Sequence, residues 1–391
     1  MMNTTTINGP ATKKRRAFFL LPALLSAALL VGACLDSKPI KIGFAGQLTG
    51  SGSDLGVYGR NGAMLAVEEI NESGGINGRK IKLIVKDDLG TSKGAIKADR
   101  ELQQENVAAV IGHMTSSQSR AALDFINAQK LILLSPTTST PLLSGKDDYF
   151  FRISQGTDSA AKSMAHFLVE KKSRKKAITI GSQQNDAYVN PYIVFFSARF
   201  SRLGGIIEAK KNFPANQKQW KNLIETIHEH PQSMLVCVLN SRQLTKLLQK
   251  INLSGIENQV ISTGWAMTNE LLNAAGKTAN GVWFVANTFG DTAERNEFET
   301  NYKKRFGDFP NFAAIRAYDA VRVLRTAIKR SQDENIPLKK ALVKTENFPG
   351  LYGKISLNRF GDVKGRNAVF KSKNGTFKEI TVLNTPDLRL N

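Results

Sequence analysis

The sequence predicts an α/β protein built from two doubly wound, Rossmann-like lobes. The first observation is a strand-helix-strand unit between Val107 and Pro141, in which two short branched-aliphatic runs flank an amphipathic interval. The second is that the alternation of strand and helix patterns ends near Ile153 and then starts again. The third is the length of 391 residues, which suits two domains of ordinary size. Because a crossover helix joins parallel strands, each lobe is expected to hold a parallel sheet.

The first lobe is expected to alternate strands and helices from residue 40 onward. The expected strands are Ile40 to Ala45, Lys80 to Val85, Val107 to Ile111 and Leu131 to Leu134, and the expected helices are Val57 to Asn71, Ser92 to Glu105 and Ala121 to Ala128. The glycine-rich loop from Gly46 to Gly56 follows the first strand, but its spacing G-x-G-x-x-x-G differs by one residue from a dinucleotide fingerprint. We therefore expect a ligand-approach loop there and no cofactor.

The chain after Ile153 repeats the same alternation and ends in short strands. The expected helices are Ser159 to Glu170, Asn190 to Leu203, Trp220 to Ile227, Leu244 to Ile251, Asn269 to Ala275, Glu297 to Phe306 and Ala313 to Arg330. The expected strands are Ala177 to Ile180, Ile206 to Ala209, Val236 to Leu239, Val260 to Ser262, Val282 to Val285, Lys354 to Leu357, Ala368 to Lys371 and Glu379 to Leu383. The two halves therefore look like two copies of one architecture.

Two clusters of hydroxyl side chains follow neighbouring strands of the first lobe. They are Thr115, Ser116 and Ser117 after one strand and Thr137, Thr138 and Ser139 after the next. Ligands of open parallel sheets bind beyond the carboxyl ends of the strands, so both clusters are expected to face one crevice. The first cluster also lies where a helix begins, which favours a small anion or carboxylate. The alternative is that these residues are ordinary N-caps and turn residues.

The N-terminal 33 residues have the pattern of a secretory leader. A basic segment at Lys13 to Arg16 precedes an apolar run from Ala17 to Leu30, which is too short for a comfortable transmembrane helix. Val31-Gly32-Ala33-Cys34 has the pattern of a bacterial lipobox, and residues 34–39 form a polar tether. We expect an exported lipoprotein anchored through Cys34, at the periplasmic or cell surface. A plain signal peptide and a twin-arginine signal are the alternatives.

Charge and cysteine content exclude several classes of function. The formal net charge is +21, but the basic residues are dispersed and the chain is expected to be exported, so a nucleic-acid partner is not expected. The other cysteine, Cys237, lies in an apolar run and leaves no pair for an internal disulfide. The four histidines show no metal-ligand spacing, and no nucleophile motif is present. Neither a metal site nor an enzyme is expected.

Several short segments carry a resemblance that covers essentially the whole mature chain. They are I-G-F-A-G-Q-L-T-G at 42–50, N-G-A at 61–63, I-N-E-S-G-G-I-N-G-R at 70–79, D-D at 87–88, V-I-G-H-M-T-S-S at 110–117, S-P-T-T-S at 135–139, D-Y-F-F-R at 148–152 and A-Y-D-A-V at 317–321. In this order and spacing, the chain resembles the type I periplasmic solute-binding proteins of ABC transporters, in the branched-chain (Leu/Ile/Val) amino-acid-binding branch.

The resemblance implies two lobes joined by three crossovers, near Ser154, near Ala286 and within Tyr352 to Leu357. The implied lobes are residues 40–154 with 287–353, and residues 155–286 with 354–391. In such proteins the two lobes close about the hinge and enclose the ligand. Periplasmic binding proteins are a general example of this hinge closure. The resemblance implies six ligand residues. Ser116 and Ser139 would place hydroxyls near the ligand carboxylate, Thr137 would contribute its backbone, and Leu55 stands where many members have an aromatic residue. Tyr188 and Asn240 would come from the second lobe.

Two departures from the family pattern bear on the ligand. Gly90 and Thr115 stand about where related proteins often have a disulfide. Related proteins also often have an acid after the strand that corresponds to Val260 to Ser262, and this chain has Gly264-Trp265 there. Either Asp186 takes the role of ammonium partner, or the ligand has no ammonium group and Trp265 forms an apolar wall. Asp186 as a simple helix cap is the alternative to the first interpretation.

The function expected from the resemblance is a binding subunit that delivers an amino acid or related carboxylate to an ABC permease in the membrane. A sensor or receptor of the same fold is the alternative, and an amine-free carboxylate or an amide is the alternative ligand. A neighbouring gene for a permease would favour transport, and one for a membrane kinase would favour sensing.

Overall fold

A computed structural model describes residues 1–6, 9, 38–50, 52–287 and 292–383. The apolar part of the predicted leader and Cys34 lie outside these residues. Among the helices of the described ranges, none is both long enough and apolar enough to cross a lipid bilayer. The unit that begins at Ile40 contains two large sheets, and they are described in turn.

The N-terminal lobe contains five parallel strands in the order β2-β1-β3-β4-β5. They are β1 (Ile40–Gly46), β2 (Ile81–Asp87), β3 (Val110–Ile111), β4 (Leu133–Ser135) and β5 (Phe150–Arg152). The central strands are buried on both faces, which explains their continuous apolar sequences. The strand order places β1 between β2 and β3, so the loops after β1 and β3 leave from adjacent positions.

Helices cover both faces of this sheet. They are α1 (Asp54–Glu72), α2 (Ser92–Gln104) and α3 (Ser116–Gln129), together with the later α10 (Phe312–Asp333) and α11 (Leu338–Val343). Helices α1 and α10 share one apolar core with Ile42 and Phe44, and α2 and α3 share the other with Val110. A Cβ atom at Gly62 would lie 2.1 Å from the Ala314 carbonyl oxygen, so the close approach of α1 and α10 requires glycine there.

The C-terminal lobe contains seven strands in the order β14-β13-β10-β9-β8-β6-β7. They are β6 (Lys176–Gly181), β7 (Ile206–Asn212), β8 (Met234–Val238), β9 (Val260–Thr263), β10 (Trp283–Asn287), β13 (Asn367–Lys373) and β14 (Thr376–Leu383). Strands β6 to β10 are parallel, and β13 and β14 extend the sheet with antiparallel pairing. This antiparallel edge is formed by the short strands expected at the end of the chain.

Helices also cover both faces of the second sheet. They are α4 (Thr157–His166), which continues as a π-helical turn over Phe167–Lys171, α5 (Asp186–Arg202), α6 (Gln217–Glu229), α7 (Ser241–Leu253) and α8 (Asn269–Ala275). Cys237 is buried in the core beneath α6 and α7. Helix α9 (Ala293–Phe306) returns the chain to the N-terminal lobe, where Phe298 and Tyr302 pack beside α10. Both sheets are therefore enclosed as the sequence predicts.

The chain passes between the lobes after Arg152, after Asn287 and again before Asn367. The third passage differs from the expected position within Tyr352 to Leu357. The hairpin of β11 (Phe348–Gly350) and β12 (Gly353–Ile355) lies with the first lobe, because Ile355 and Leu357 belong to its apolar core. The backbone N–H of Arg152 also donates to the Gly361 carbonyl at 3.0 Å. The segment from 354 to about 363 therefore packs with the N-terminal lobe.

Candidate functional site

A cavity of about 370 Å³ lies where the carboxyl ends of both sheets face each other. Its lining comes from both lobes and from the crossover segments. Six of the sequence-predicted residues line it, namely Leu55, Ser116, Thr137, Ser139, Tyr188 and Trp265. The volume is within the range typical of sites for small molecules. Parallel strands that all end at one edge have therefore brought residues distant in sequence to one place.

The floor in the N-terminal lobe is formed by the loops after β3 and β4. Ser116, which is only 2% exposed, accepts a 3.3 Å hydrogen bond at Oγ from the Ser139 backbone N–H. Thr115 is the N-cap of α3, but its side chain makes no capping bond, and its buried Oγ1 has no partner among the described residues. The first N–H groups of α3 lack intrahelical partners. This end of the cavity is therefore suited to a carboxylate.

The two loops are held together below the cavity. Thr137 Oγ1 donates to the Met114 carbonyl at 2.8 Å, and the Thr138 hydroxyl lies 2.7 Å from that of Ser119. Thr138 is fully buried and does not line the cavity, although the sequence places it in the hydroxyl cluster. Thr138 was predicted to contact the ligand, but the structure places it beneath the cavity, where it supports the loop. The alternative role of a turn residue agrees with the contacts of Thr138.

A buried ionic cluster supports the same loop from beneath. His113 Nδ1 lies 2.8 Å from Asp88 Oδ2, and His113 Nε2 lies 3.3 Å from Asp99 Oδ2. Burial opposes the charged imidazole, but the charge of Asp99 and the hydrogen bonds from both acids raise the pKa of His113 to about 10. The imidazole is therefore protonated at neutral pH, and the cluster carries one cation between two carboxylates.

The C-terminal lobe contributes an aromatic wall. The rings of Tyr188 and Trp265 meet edge to face, with centroids 5.7 Å apart. Burial raises the pKa of Tyr188. Trp265 follows β9 in a short helical turn capped by the Thr263 side chain. Because both rings are fixed by such contacts, they present a preorganised apolar surface to the cavity.

Besides Thr138, three predicted residues lie outside the cavity lining. The Ser117 hydroxyl donates to Asp186 Oδ1 at 2.7 Å, and the Ser117 backbone N–H donates to Asn185 Oδ1 at 3.0 Å. These bonds join α3 of one lobe to α5 of the other. Asn240 is the N-cap of α7, where its Oδ1 accepts from the Gln243 N–H at 2.8 Å. The structure therefore gives these residues lobe-contact and capping positions.

Asp186 requires a specific correction. Its side chain is 59% exposed and lies 4.0 Å from Arg120, so its carboxylate faces solvent and the other lobe. The prediction placed it beside Tyr188 as the partner of a ligand ammonium. Both residues lie in the first turn of α5, and residues two apart on a helix point roughly 200° from each other. With Tyr188 in the cavity wall, Asp186 points away from it. Its carboxylate also accepts from Ser117 across the interface, and so it does not act as a simple helix cap.

Arg316 also lines the cavity, and it is a charged residue that was not among the predicted site residues. Arg316 is 9% exposed and donates to the Ile153 carbonyl at 2.6 Å and to Asn287 Oδ1 at 2.9 Å. A signal was present in the sequence, because Arg316 lies three residues after Ala313 and four before Ala320, both on the buried stripe of α10. Arg295, Gln155 and Asn185 also line the cavity without having been predicted.

The described ranges contain no assembled metal site. No group of three or more His, Cys, Asp or Glu side chains there is placed to hold a metal ion.

The comparisons with known proteins agree with this geometry. The family model described as periplasmic binding protein matches residues 39–374. The leucine-specific-binding protein of Salmonella typhimurium is 25% identical, over 90% of this chain and 95% of its own length.

Two solved structures share the fold. A leucine-binding protein from Thermotoga maritima superposes with a TM-score of 0.81 at 22% identity, covering 89% of this chain and all of that one. A solute-binding protein of an ABC transporter from R. palustris, solved in complex with benzoate, has a TM-score of 0.80 at 16% identity, covering 89% of this chain and 97% of that one. The match over most of the chain, the two lobes and the cavity between them show that this chain belongs to the periplasmic binding protein family.

Proposed function

We propose that the protein is the exported solute-binding subunit of an ABC importer, and that it captures a small carboxylate ligand between its two lobes. The observation that carries this proposal is the cavity itself. Ser116 at the start of α3 and Ser139 in the loop after β4 face Tyr188 and Trp265 of the other lobe across it. A ligand held there would contact both lobes at once, and so would stabilise their closed arrangement.

The two ends of the cavity differ in chemistry. The hydroxyls and the helix N-terminus suit a carboxylate, and the aromatic wall suits an apolar body. A ligand the size of a branched-chain amino acid or of benzoate fits about 370 Å³. Neither polymer nor nucleic acid is compatible with a cavity of this size.

Two ligand classes have separate support. The names of the Salmonella and Thermotoga proteins favour a branched-chain or related amino acid. The benzoate complex of the R. palustris protein and the apolar wall at Trp265 favour a carboxylate without an amine. Both classes share the carboxylate, which is the part of the ligand that Ser116 and Ser139 are proposed to hold.

Export and anchoring rest on the sequence pattern of residues 1–39. Lipid attached at Cys34 would keep the protein close to its permease partner in the inner membrane and raise its local concentration there. A sensor of the same fold would close on the ligand in the same way and would signal to a membrane protein instead. The charge distribution and the cavity give no support to a nucleic-acid partner.

Binding and transport are tested in two experiments. Native mass spectrometry of the protein as isolated, followed by thermal unfolding with a panel of small carboxylates, should identify a stabilising ligand. Ligand at 100 times its Kd adds about 2.7 kcal/mol to the free energy of unfolding. The ligand should be recovered unchanged, because no catalyst is proposed. If no small carboxylate stabilises the protein, or if the bound compound is converted, the proposal is wrong. Loss of uptake in a deletion strain would separate transport from sensing.

A further inference from the structure

The charged side chains that line the cavity are all of one sign. Among the described residues, the lining contains Arg295 and Arg316 and has no aspartate or glutamate. The N-terminus of α3 adds its partial positive charge. A smaller cavity of about 60 Å³ on the hinge side shares Arg316 with the larger one, and its lining contains Lys364 and Arg366. The charges that the described lining residues and the helix N-terminus bring to the site are therefore positive.

Arg295 and Arg316 differ in how their charges are compensated. Arg295 Nε lies 2.8 Å from Glu299 Oε1, so a carboxylate balances its charge. Arg316 donates to a backbone carbonyl and to the Asn287 amide, both of which are neutral. The neighbouring acid, Asp319, is paired with Arg322 at 3.1 Å and also accepts from the Leu351 N–H at 2.8 Å. Within the described ranges, no carboxylate lies within 4.0 Å of the Arg316 guanidinium.

A buried guanidinium with neutral partners is an unusual arrangement. Buried charges in proteins are as a rule paired, because removing an ion from water is costly. Arg316 lines the cavity, so the anionic group of a ligand can supply the missing negative charge. A ligand ammonium in the same cavity would meet Arg316 and the helix N-terminus, and it would find no described carboxylate in the lining. Its desolvation would then be uncompensated.

The remaining wall indicates the body of the ligand. Leu55, Met114, Trp265 and Phe312 surround the cavity with apolar surface. Such a wall suits a branched aliphatic or aromatic group and offers no partner for a second charge. A ligand that fits this cavity therefore needs one anionic end and one apolar end.

We infer, resting on the proposed function, that the natural ligand is a carboxylate without an ammonium group, such as a 2-oxo, deaminated or aromatic acid, and that Arg316 is a specificity-determining residue for its charge. The carboxylate lies near Ser116 and Ser139, and the field of Arg316 favours a ligand of net negative charge. The same field disfavours the zwitterion of an amino acid.

A set of isosteric probes tests the ligand class on the purified full chain. The probes are L-leucine, 4-methyl-2-oxopentanoate, 4-methylpentanoate, the neutral 4-methylpentanamide and benzoate, with Kd values measured by calorimetry. At least one of the amine-free acids should bind tighter than leucine by about tenfold or more, as expected when a charged group loses its hydrogen-bonded partner. If leucine binds as tightly as the best acid or more tightly, the inference is overturned and the proposed function stands. If neither leucine nor any of the acids binds, or if the amide equals its acid, the proposed function fails as well.

Two variants test the role of Arg316. Arg316→Gln should reduce the preference for 4-methylpentanoate over its amide by about tenfold, and Arg316→Lys should retain most of it. Arg295→Gln is the matched control, because the charge of Arg295 is already balanced by Glu299, and the preference should change little. A merely structural role of Arg316 would weaken binding of acid and amide equally, which would overturn its assignment. If Arg316→Gln does not fold, the wild-type ratio of acid to amide and to leucine still decides the ligand class.

Discussion

The hydroxyl of Ser117 donates a 2.7 Å hydrogen bond to the carboxylate of Asp186, and this bond joins the two lobes at the rim of the cavity. Ser117 Oγ also accepts from the Ala187 backbone N–H at 3.2 Å. Both contacts link the first turns of α3 and α5, so they exist only when the lobes are close together. The pair is therefore part of the closure of the site and not of the ligand contact.

Ser117→Ala should weaken the binding of every ligand by the same factor. The variant loses two interlobe hydrogen bonds, each worth about 0.5–1.5 kcal/mol. The equilibrium between the closed and the open arrangement of the lobes therefore shifts toward the open one. Asp186→Asn keeps an acceptor for Ser117 and loses a charge that is 59% exposed, so its effect should be small. Calorimetric titration with leucine and with its deaminated analogue measures both. A loss in Asp186→Asn confined to leucine would instead show that Asp186 contacts the ammonium.

Ser116→Ala should weaken carboxylate binding by about tenfold, because a hydrogen bond to a charged group contributes roughly 1.5–3 kcal/mol. Ser116 is nearly buried and lines the cavity. Ser119→Ala is the control, since Ser119 is in the same helix and pairs with Thr138 away from the cavity. It should lower the melting temperature and leave the Kd within about twofold. Equal Kd values for Ser116→Ala and wild type would remove Ser116 from the site.

How much of the site could be predicted depends on which physical rule places each residue. Ser116, Thr137 and Ser139 follow strands of a parallel sheet, and this topology alone sends them to one edge. Their placement needed no knowledge of side-chain packing. Leu55 and Tyr188, which also line the cavity, were instead carried over from the ligand positions of the family that the chain resembles.

The sequence pattern did not show which way a side chain points within a loop or within the first turn of a helix. Asp186 was placed with Tyr188 because the two are close in sequence, but helix geometry points them apart. The starts of several helices were also predicted a few residues after their observed starts, because the apolar periodicity begins only after the N-cap. Helix α6 begins at Gln217, with Asn216 as its cap, and the apolar pattern begins only at Trp220. Arg316 was not among the predicted site residues, because it lies within a helix and not in a loop at the end of a strand.

Lipid anchoring leads to a prediction that depends on the leader sequence alone. Cys34→Ala should move the protein from the membrane fraction to the soluble periplasm, because the acylated residue would be lost. Cys237→Ala is the matched control, since Cys237 is buried in β8 and cannot be acylated in the folded protein. Fractionation followed by immunoblotting measures the distribution. Unchanged membrane association of Cys34→Ala would contradict the lipoprotein assignment.

The pH dependence of lobe contact should involve Asp54. The Ser241 hydroxyl of the second lobe lies 3.3 Å from Asp54 Oδ2 and 2.6 Å from Glu270 Oε2, and its single proton can satisfy only one of them. Burial, and then repulsion from Glu270, raise the pKa of Asp54 from 3.8 to about 6. Glu270 also pairs with Arg242 at 2.7 Å. Protonation of Asp54 therefore favours the closed arrangement.

The sign follows from the raised pKa. The closed form binds a proton more tightly than the unfolded chain does, so the free energy of unfolding should rise as the pH falls from 7 toward 4. The contribution is on the order of 1 kcal/mol after solvent screening. Asp54→Asn should be more stable than wild type at pH 7 and should lose this part of the pH dependence. Chemical unfolding at several pH values measures the difference. Parallel curves for the two proteins would exclude Asp54 as the titrating group.

The buried cluster at His113 should make a large contribution to stability of the first lobe. His113→Gln removes the cation that separates Asp88 and Asp99 and leaves two carboxylates buried without it. Breaking a buried charge pair costs about 3–5 kcal/mol. His230→Gln is the control, because His230 is partly exposed and lies 3.3 Å from Glu208 at the surface, and its loss should cost less than about 1 kcal/mol.

The same cluster predicts how stability changes in alkali. The pKa of His113 is raised from its ordinary 6.5 to about 10, so its stabilisation is fully present below pH 6.5 and is lost as the pH rises toward 10. Wild type should therefore lose free energy of unfolding between pH 7 and 10, and His113→Gln should lack this component. Urea unfolding at pH 6, 8 and 10 gives the comparison. If the two proteins show the same slope with pH, His113 does not carry a proton in the folded state.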